Sequence, residues 1–94
     1  MAFEFDFTDE LKDILLTLNK KDPKKAAIIY KKVQEIIISD EESIQRYKNL
    51  RHDMSDRKRV HIDRSFVLTF RVDRAKKFVL FIDVDHHDNI YRKR

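Results

Sequence analysis

Two short stretches carry side chains suited to acid–base and phosphate chemistry. The first is Arg57–Lys58–Arg59–Val60–His61. On an extended backbone alternate residues share a face, so Arg57, Arg59 and His61 point one way while Val60 and Ile62 enter the core. An imidazole beside guanidinium groups is what RNA cleavage through the ribose 2′-hydroxyl needs. Arginine stabilises the extra negative charge on five-coordinate phosphorus, and histidine moves a proton. The second stretch is Asp85–His86–His87–Asp88–Asn89–Ile90–Tyr91. Its paired histidines are candidate proton-transfer groups, since an unperturbed imidazole pKa of about 6.5 leaves both forms populated near neutrality. Asp83 and Asp85 alternate on one strand face, which makes a His/Asp divalent-metal site conceivable. Against it, the spacing matches no specific metal motif and the surroundings are basic. The plainer alternatives are a hairpin with a charged solvent face and a polar turn.

Both stretches need a scaffold, and the hydrophobic pattern describes one. Phe3, Phe5 and Phe7 alternate with Glu4 and Asp6, a short strand with one buried face. Thr8 offers a cap to a helix with Asp9 and Glu10 in its first turn and Leu11, Ile14, Leu15 and Leu18 along one side. Asn19 to Asp22 interrupt it. Asp22–Pro23 then reads as cap and first residue of a second helix running to about Ile38, with Ala26, Ile29, Tyr30, Val33, Ile36 and Ile37 as its apolar stripe. Ser39 with Glu42 three residues later is a capping box for one more short turn through Ile44 and Tyr47. The stretch from Asn49 to Asp56 offers only Leu50 and Met54 for burial and reads as a loop.

Beyond it the period becomes two. Val60 and Ile62, then Phe66 to Val72, then Phe78 to Val84 alternate with their neighbours, predicting three strands joined by polar turns at 63–65 and 73–77. A lone N-terminal strand cannot satisfy its backbone and must join them. The expected order is βααβββ, an α+β domain with a helical hairpin on one face of a small four-stranded, mainly antiparallel sheet. No linker or repeat divides residues 1–94, so a single domain is expected. The tail from His86 to Arg94 is expected to be exposed.

Composition excludes several classes. The chain of 94 residues has no Cys and no Gly, so it holds no disulfide, thiol nucleophile, cysteine-ligated metal or glycine-rich phosphate loop. The run Ala26–Tyr30 is far shorter than the roughly 20 residues that span a bilayer. The acidic start is unlike a signal peptide. The expectation is a soluble cytoplasmic protein with no membrane contact. Residues 1–50 carry 9 basic and 10 acidic side chains, whereas 51–94 carry 12 and 7, and all four histidines, His52, His61, His86 and His87, lie in the second half. A basic half that holds every group titrating near neutrality suggests a surface that handles polyanions.

The element order, Leu50 in a basic loop, Arg57–Lys58–Arg59–Val60–His61–Ile62, Phe66 to Asp73, and the ending His86 to Arg92 together resemble the RelE/ParE toxin superfamily. The spacing from His87 to Tyr91 and the strand histidine His61 are most similar to its YafQ-like branch. The resemblance implies a type II toxin, an mRNA interferase that cuts mRNA in the ribosome without a metal or other cofactor. It assigns His87 as terminal acid or base, Tyr91 as the aromatic that supports the scissile nucleotide, His61 as the strand histidine, and Arg59 with Lys58 as phosphate partners. Arg51, His52, Arg57, His86 and Arg92 complete the expected RNA-binding surface. Val67 stands where members often have Arg, and Arg64–Ser65 where many have Gly, which favours the histidine-dependent branch. The implied partners are the ribosome, mRNA and a small cognate antitoxin in a toxin–antitoxin hetero-oligomer. The alternatives are a ParE-like inhibitor of DNA gyrase that does no chemistry and a degenerate member that only binds.

Overall fold

A computed structural model describes residues 2–49, 57–86 and 89. The elements are β1 (Glu4–Phe7), α1 (Asp9–Lys21), α2 (Pro23–Ile37), α3 (Glu41–Gln45), β2 (Lys58–His61), β3 (Phe66–Asp73) and β4 (Phe78–His86). They form an α+β fold with one four-stranded sheet in the order β1-β4-β3-β2. The β2–β3 and β3–β4 pairs are antiparallel, and β1 joins β4 in parallel. Most of the stretch expected to be a loop, Leu50–Asp56, and most of the tail lie outside the described residues.

The helical hairpin turns on a single residue. Asp22 ends α1 through its own N–H to the Leu18 carbonyl at 2.7 Å, and its side chain accepts the Lys25 N–H at 3.1 Å to start α2, with Pro23 in the first turn. Helix α1 therefore continues through the Asn19–Lys21 stretch where an interruption is expected, because Asp22 serves both caps. The third helix differs from expectation as well. Asp40, not Ser39, is its cap, accepting the Ser43 N–H at 2.7 Å, while Ser39 Oγ donates to the Glu35 carbonyl. The Ser43 N–H donated to Asp40 holds its carboxyl below the usual carboxylate range.

The core is made where one helical face meets one sheet face. Leu11 and Leu15 of α1, Ile29, Val33, Ile36 and Ile37 of α2, and Ile44 of α3 pack on Leu68, Phe70, Val79, Phe81 and Val84. Tyr30, expected in the apolar stripe, is 38% exposed instead, with its hydroxyl 3.5 Å from Asn19 Nδ2. The N-terminal phenylalanines also separate: Phe3, just before β1, is buried, whereas Phe5 within this edge strand is 39% exposed.

Strand β4 breaks the strict alternation expected of it. Its register with β3 runs Thr69↔Asp83 and then Phe70↔Phe81, so Ile82 is an extra residue, a β-bulge. Before the bulge Val79 and Phe81 face the helices; after it Val84 does. Thr8 fastens this irregularity. Its N–H donates to the Phe81 carbonyl at 3.0 Å and its hydroxyl to the Ile82 carbonyl at 2.7 Å, while the same oxygen accepts the Leu11 N–H and caps α1.

The β2–β3 turn is set by Asp63, whose carboxylate accepts the N–H groups of Ser65 and Phe66, both at 2.9 Å, and faces Lys25 Nζ at 3.6 Å. These donors, and then the lysine, hold its pKa below the usual carboxylate value. A depressed folded-state pKa contributes stability above the unfolded value of about 3.9, and that stability is lost as pH falls through the folded one. Urea denaturation at pH 7 and pH 3 is expected to show a smaller loss on acidification for Asp63→Asn than for the parent chain. Equal losses would mean the turn carboxylate is not linked to folding.

Candidate nucleic-acid interface

Strand β2 is short and lies at the sheet edge, so its two faces are sorted by its register with β3. Val60 pairs with Leu68 and Lys58 with Phe70, both core residues, which places Lys58 and Val60 on the helix side. Arg59 pairs with Thr69 and His61 with Val67 on the opposite face, away from the helices. His61 is exposed and Arg59 half-buried. The Arg59 N–H donates outward to the Lys48 carbonyl at 2.8 Å.

The register continues this face across the sheet, where Val67 is also buried. Arg59, Thr69 and Asp83 form one cross-strand row, and His61, Val67 and Asp85 the next. Each row thus has a basic group on β2 and a carboxylate on β4. Thr69 and Asp83 are buried although they face away from the helices, with Asp83 at 6% exposure and the Thr69 hydroxyl 3.4 Å from the Asp83 carbonyl oxygen. Arg71 follows Thr69 on the same face, paired with Leu80. Sequence reading passed over Arg71, yet its signal was present: it alternates in phase with Val67 and Thr69, the residues that β2 lays Arg59 and His61 beside. Arg71 and Arg74 line an open depression of ≈ 490 Å³ with Asp73, Phe78 and Leu80 at the far end of the β3–β4 hairpin.

Other candidates are placed elsewhere. His86 pairs with Phe66, and its ring meets the Phe66 ring edge-on at 6.0 Å. Lys25 Nζ of α2 sits over that phenylalanine at 3.6 Å, so His86 belongs to the helix side, apart from Arg59 and His61. Lys58 Nζ is held by the Gln45 and Tyr47 carbonyls and Asn49 Oδ1. Arg57, half-buried, directly precedes β2. The residues His87, Tyr91, Arg51, His52 and Arg92 lie outside the described residues. Among the described residues no group of three or more His, Asp or Glu is gathered as a metal site would require, and no helix is long and apolar enough to cross a membrane.

Chemically, the β2 face offers a guanidinium able to bind and neutralise a phosphate, and one strand step further an imidazole able to carry a proton.

No family model matches the chain. A protein of Methanocaldococcus jannaschii named "Putative toxin RelE4" is 50% identical to it over 92 residues, which cover 98% of this chain and 94% of the relative. Among solved structures, a mutant of the E. coli toxin RelE in the free state matches with a TM-score of 0.71 at 22% identity, over 95% of this chain and 87% of that one. The toxin–antitoxin complex RelBE2 from Mycobacterium tuberculosis matches with a TM-score of 0.65 at 22% identity, over 93% and 100%. At such identities the solved structures speak to the fold alone, which they share with this chain.

Proposed function

This chain belongs to the RelE toxin family, and from that premise we propose that it is the toxin of a toxin–antitoxin pair, a ribosome-dependent endoribonuclease that cleaves mRNA. The observation that carries the reading is the common face of Arg59 and His61 on β2. In the proposed reaction a general base takes the proton of the ribose 2′-hydroxyl, whose oxygen attacks the adjacent phosphorus. The bond from phosphorus to the 5′-oxygen breaks as a general acid protonates that oxygen. Arg59 stabilises the charge that builds on the phosphoryl oxygens, and His61 and His87 share the proton transfers, with Tyr91 supporting the nucleotide. No metal or other cofactor takes part in this scheme.

The partners follow from the same reading. The mRNA and ribosome are polyanions and meet the basic half of the chain. A small acidic antitoxin is expected to cover the helical hairpin and the basic cleft of Arg51, Arg57 and Arg59 in a hetero-oligomer, and all of this takes place in the cytoplasm.

The test is product-end analysis on translating ribosomes programmed with a defined mRNA. New ends within the coding sequence, bearing 2′,3′-cyclic phosphate or 3′-phosphate, are expected. A 3′-hydroxyl with a 5′-phosphate would overturn the metal-free route in favour of metal-activated water. Intact mRNA together with blocked gyrase supercoiling would replace the reading with a ParE-like one.

A further inference from the structure

Among the described residues strand β2 has four residues and one strand partner, β3, so its register rests on the Asp63 turn, on Val60 against the core and on contacts along its outer side. A slip of one residue would turn Arg59 and His61 to the helix side and Val60 to solvent. Part of what resists the slip lies on its outer side. Asn49 bridges to Lys58, the Lys48 carbonyl accepts the Arg59 N–H, and the Lys58 ammonium reaches back to the end of α3. Lys58 Nζ is 3.3 Å from the Gln45 carbonyl, 3.2 Å from the Tyr47 carbonyl and 3.1 Å from Asn49 Oδ1.

An ammonium group has three donors, and here three acceptors surround it. One of them, the Gln45 carbonyl, ends α3, where backbone acceptors lack intrahelical partners, and the Tyr47 carbonyl lies just past the cap. Tyr47 is in turn packed edge-on against the buried Phe70 at 5.5 Å between centroids, so the clamp is fixed to the core. Burial pushes the lysine pKa down, as expected of an ammonium withdrawn from water.

We propose that Lys58 is a positioning residue, whose ammonium clamps the end of α3 to β2 and so holds Arg59 and His61 on the face away from the helices, and that it is not a contact to RNA phosphate. The inference rests on the reading of Arg59 and His61 as cleavage machinery, but the clamp itself can be tested without RNA.

Arginine separates the two roles. A phosphate contact accepts arginine readily, whereas its planar fork cannot point three donors at acceptors gathered around one nitrogen. Lys58→Arg and Lys58→Met are therefore both expected to lower ribosome-dependent cleavage roughly 10–100-fold, the scale of a misplaced reacting group. Binding of a 2′-O-methyl RNA decamer, which cannot be cut, should keep its salt dependence in Lys58→Met. Arg59→Gln, as the reference, should reduce the slope of log K against log salt by about 0.7. Wild-type cleavage by Lys58→Arg, or a slope change of about 0.7 in Lys58→Met, would overturn the proposal. Amide hydrogen exchange in the absence of RNA reads the clamp directly. Protection at Arg59 should fall in both variants while that at Leu68 in β3 holds. Unchanged protection at Arg59, or a uniform loss at every amide, would also overturn it. Should the parent chain cleave no RNA, the functional reading fails, and the exchange result still decides whether the clamp exists.

Discussion

Replacing His87 by alanine is expected to reduce mRNA cleavage by about 10²–10⁴-fold, the usual cost of removing one positioned acid or base. Growth arrest on expression should disappear with it. The expectation comes from the family pattern of a strand followed by a histidine and, four residues later, an aromatic, here His87 and Tyr91. His61→Ala tests the partner role on β2 and should also impair cleavage. Arg92→Ala should weaken activity less, since a basic tail residue supplies charge but no proton. Thermal unfolding should be unchanged in His87→Ala, because the core of the described residues is assembled from Phe3, the helices and strand residues ending at Val84. Single-turnover cleavage on programmed ribosomes measures the effect. Full activity in His87→Ala would remove this residue from the chemistry and leave His61 and Arg59 as the candidates.

The second large effect is on stability. Phe81 is fully buried, and its ring lies 5.5 Å from that of Phe7, 6.1 Å from Phe5 and 5.9 Å from Phe70. It also precedes the bulge that Thr8 fastens, so it joins β1, β3 and the start of α1 at one point. Phe81→Ala is expected to cost about 3–5 kcal/mol. A chain of this size has a total stability on the order of 5–15 kcal/mol, so the variant should melt on the order of 20 °C lower. Phe5→Ala, at a ring 39% exposed, should cost a fraction of that. Equal losses for the two would show that the edge strand carries as much of the core as the strand beside it.

Much of the scaffold was legible in local pattern. The caps at Thr8 and Asp22, the acidic first turn of α1, Pro23 and the three alternating strands are signals carried by residues close in sequence, and the structure realises them there. The grouping of Arg59 with His61 was equally legible, because alternation on an extended strand is a local property. Which way that strand faces, and what lies beside it, was not local. The carboxylates Asp83 and Asp85 share the face away from the helices with Arg59 and His61 only through two successive strand registers. The bulge at Ile82 shows why pattern alone misplaces such groups. One inserted residue inverts the phase of all that follows, and because both Ile82 and Val84 are apolar, nothing in their types marks the inversion.

The assignments of Lys58 and His86 turned on the same point. Both are basic residues next to candidate catalytic groups in the sequence, yet each lies on the helix side, Lys58 against the end of α3 and His86 against Phe66. By itself the sequence determined the element order, the caps and the pairing of an imidazole with a guanidinium on one strand face, since each follows from backbone geometry over a few residues. Only the tertiary structure decided the parallel placement of β1 against β4, the inverted phase after the bulge and the seating of Lys58 against the end of α3. Those depend on hydrogen bonds and packing between segments far apart in the chain, whose free energy no local pattern records.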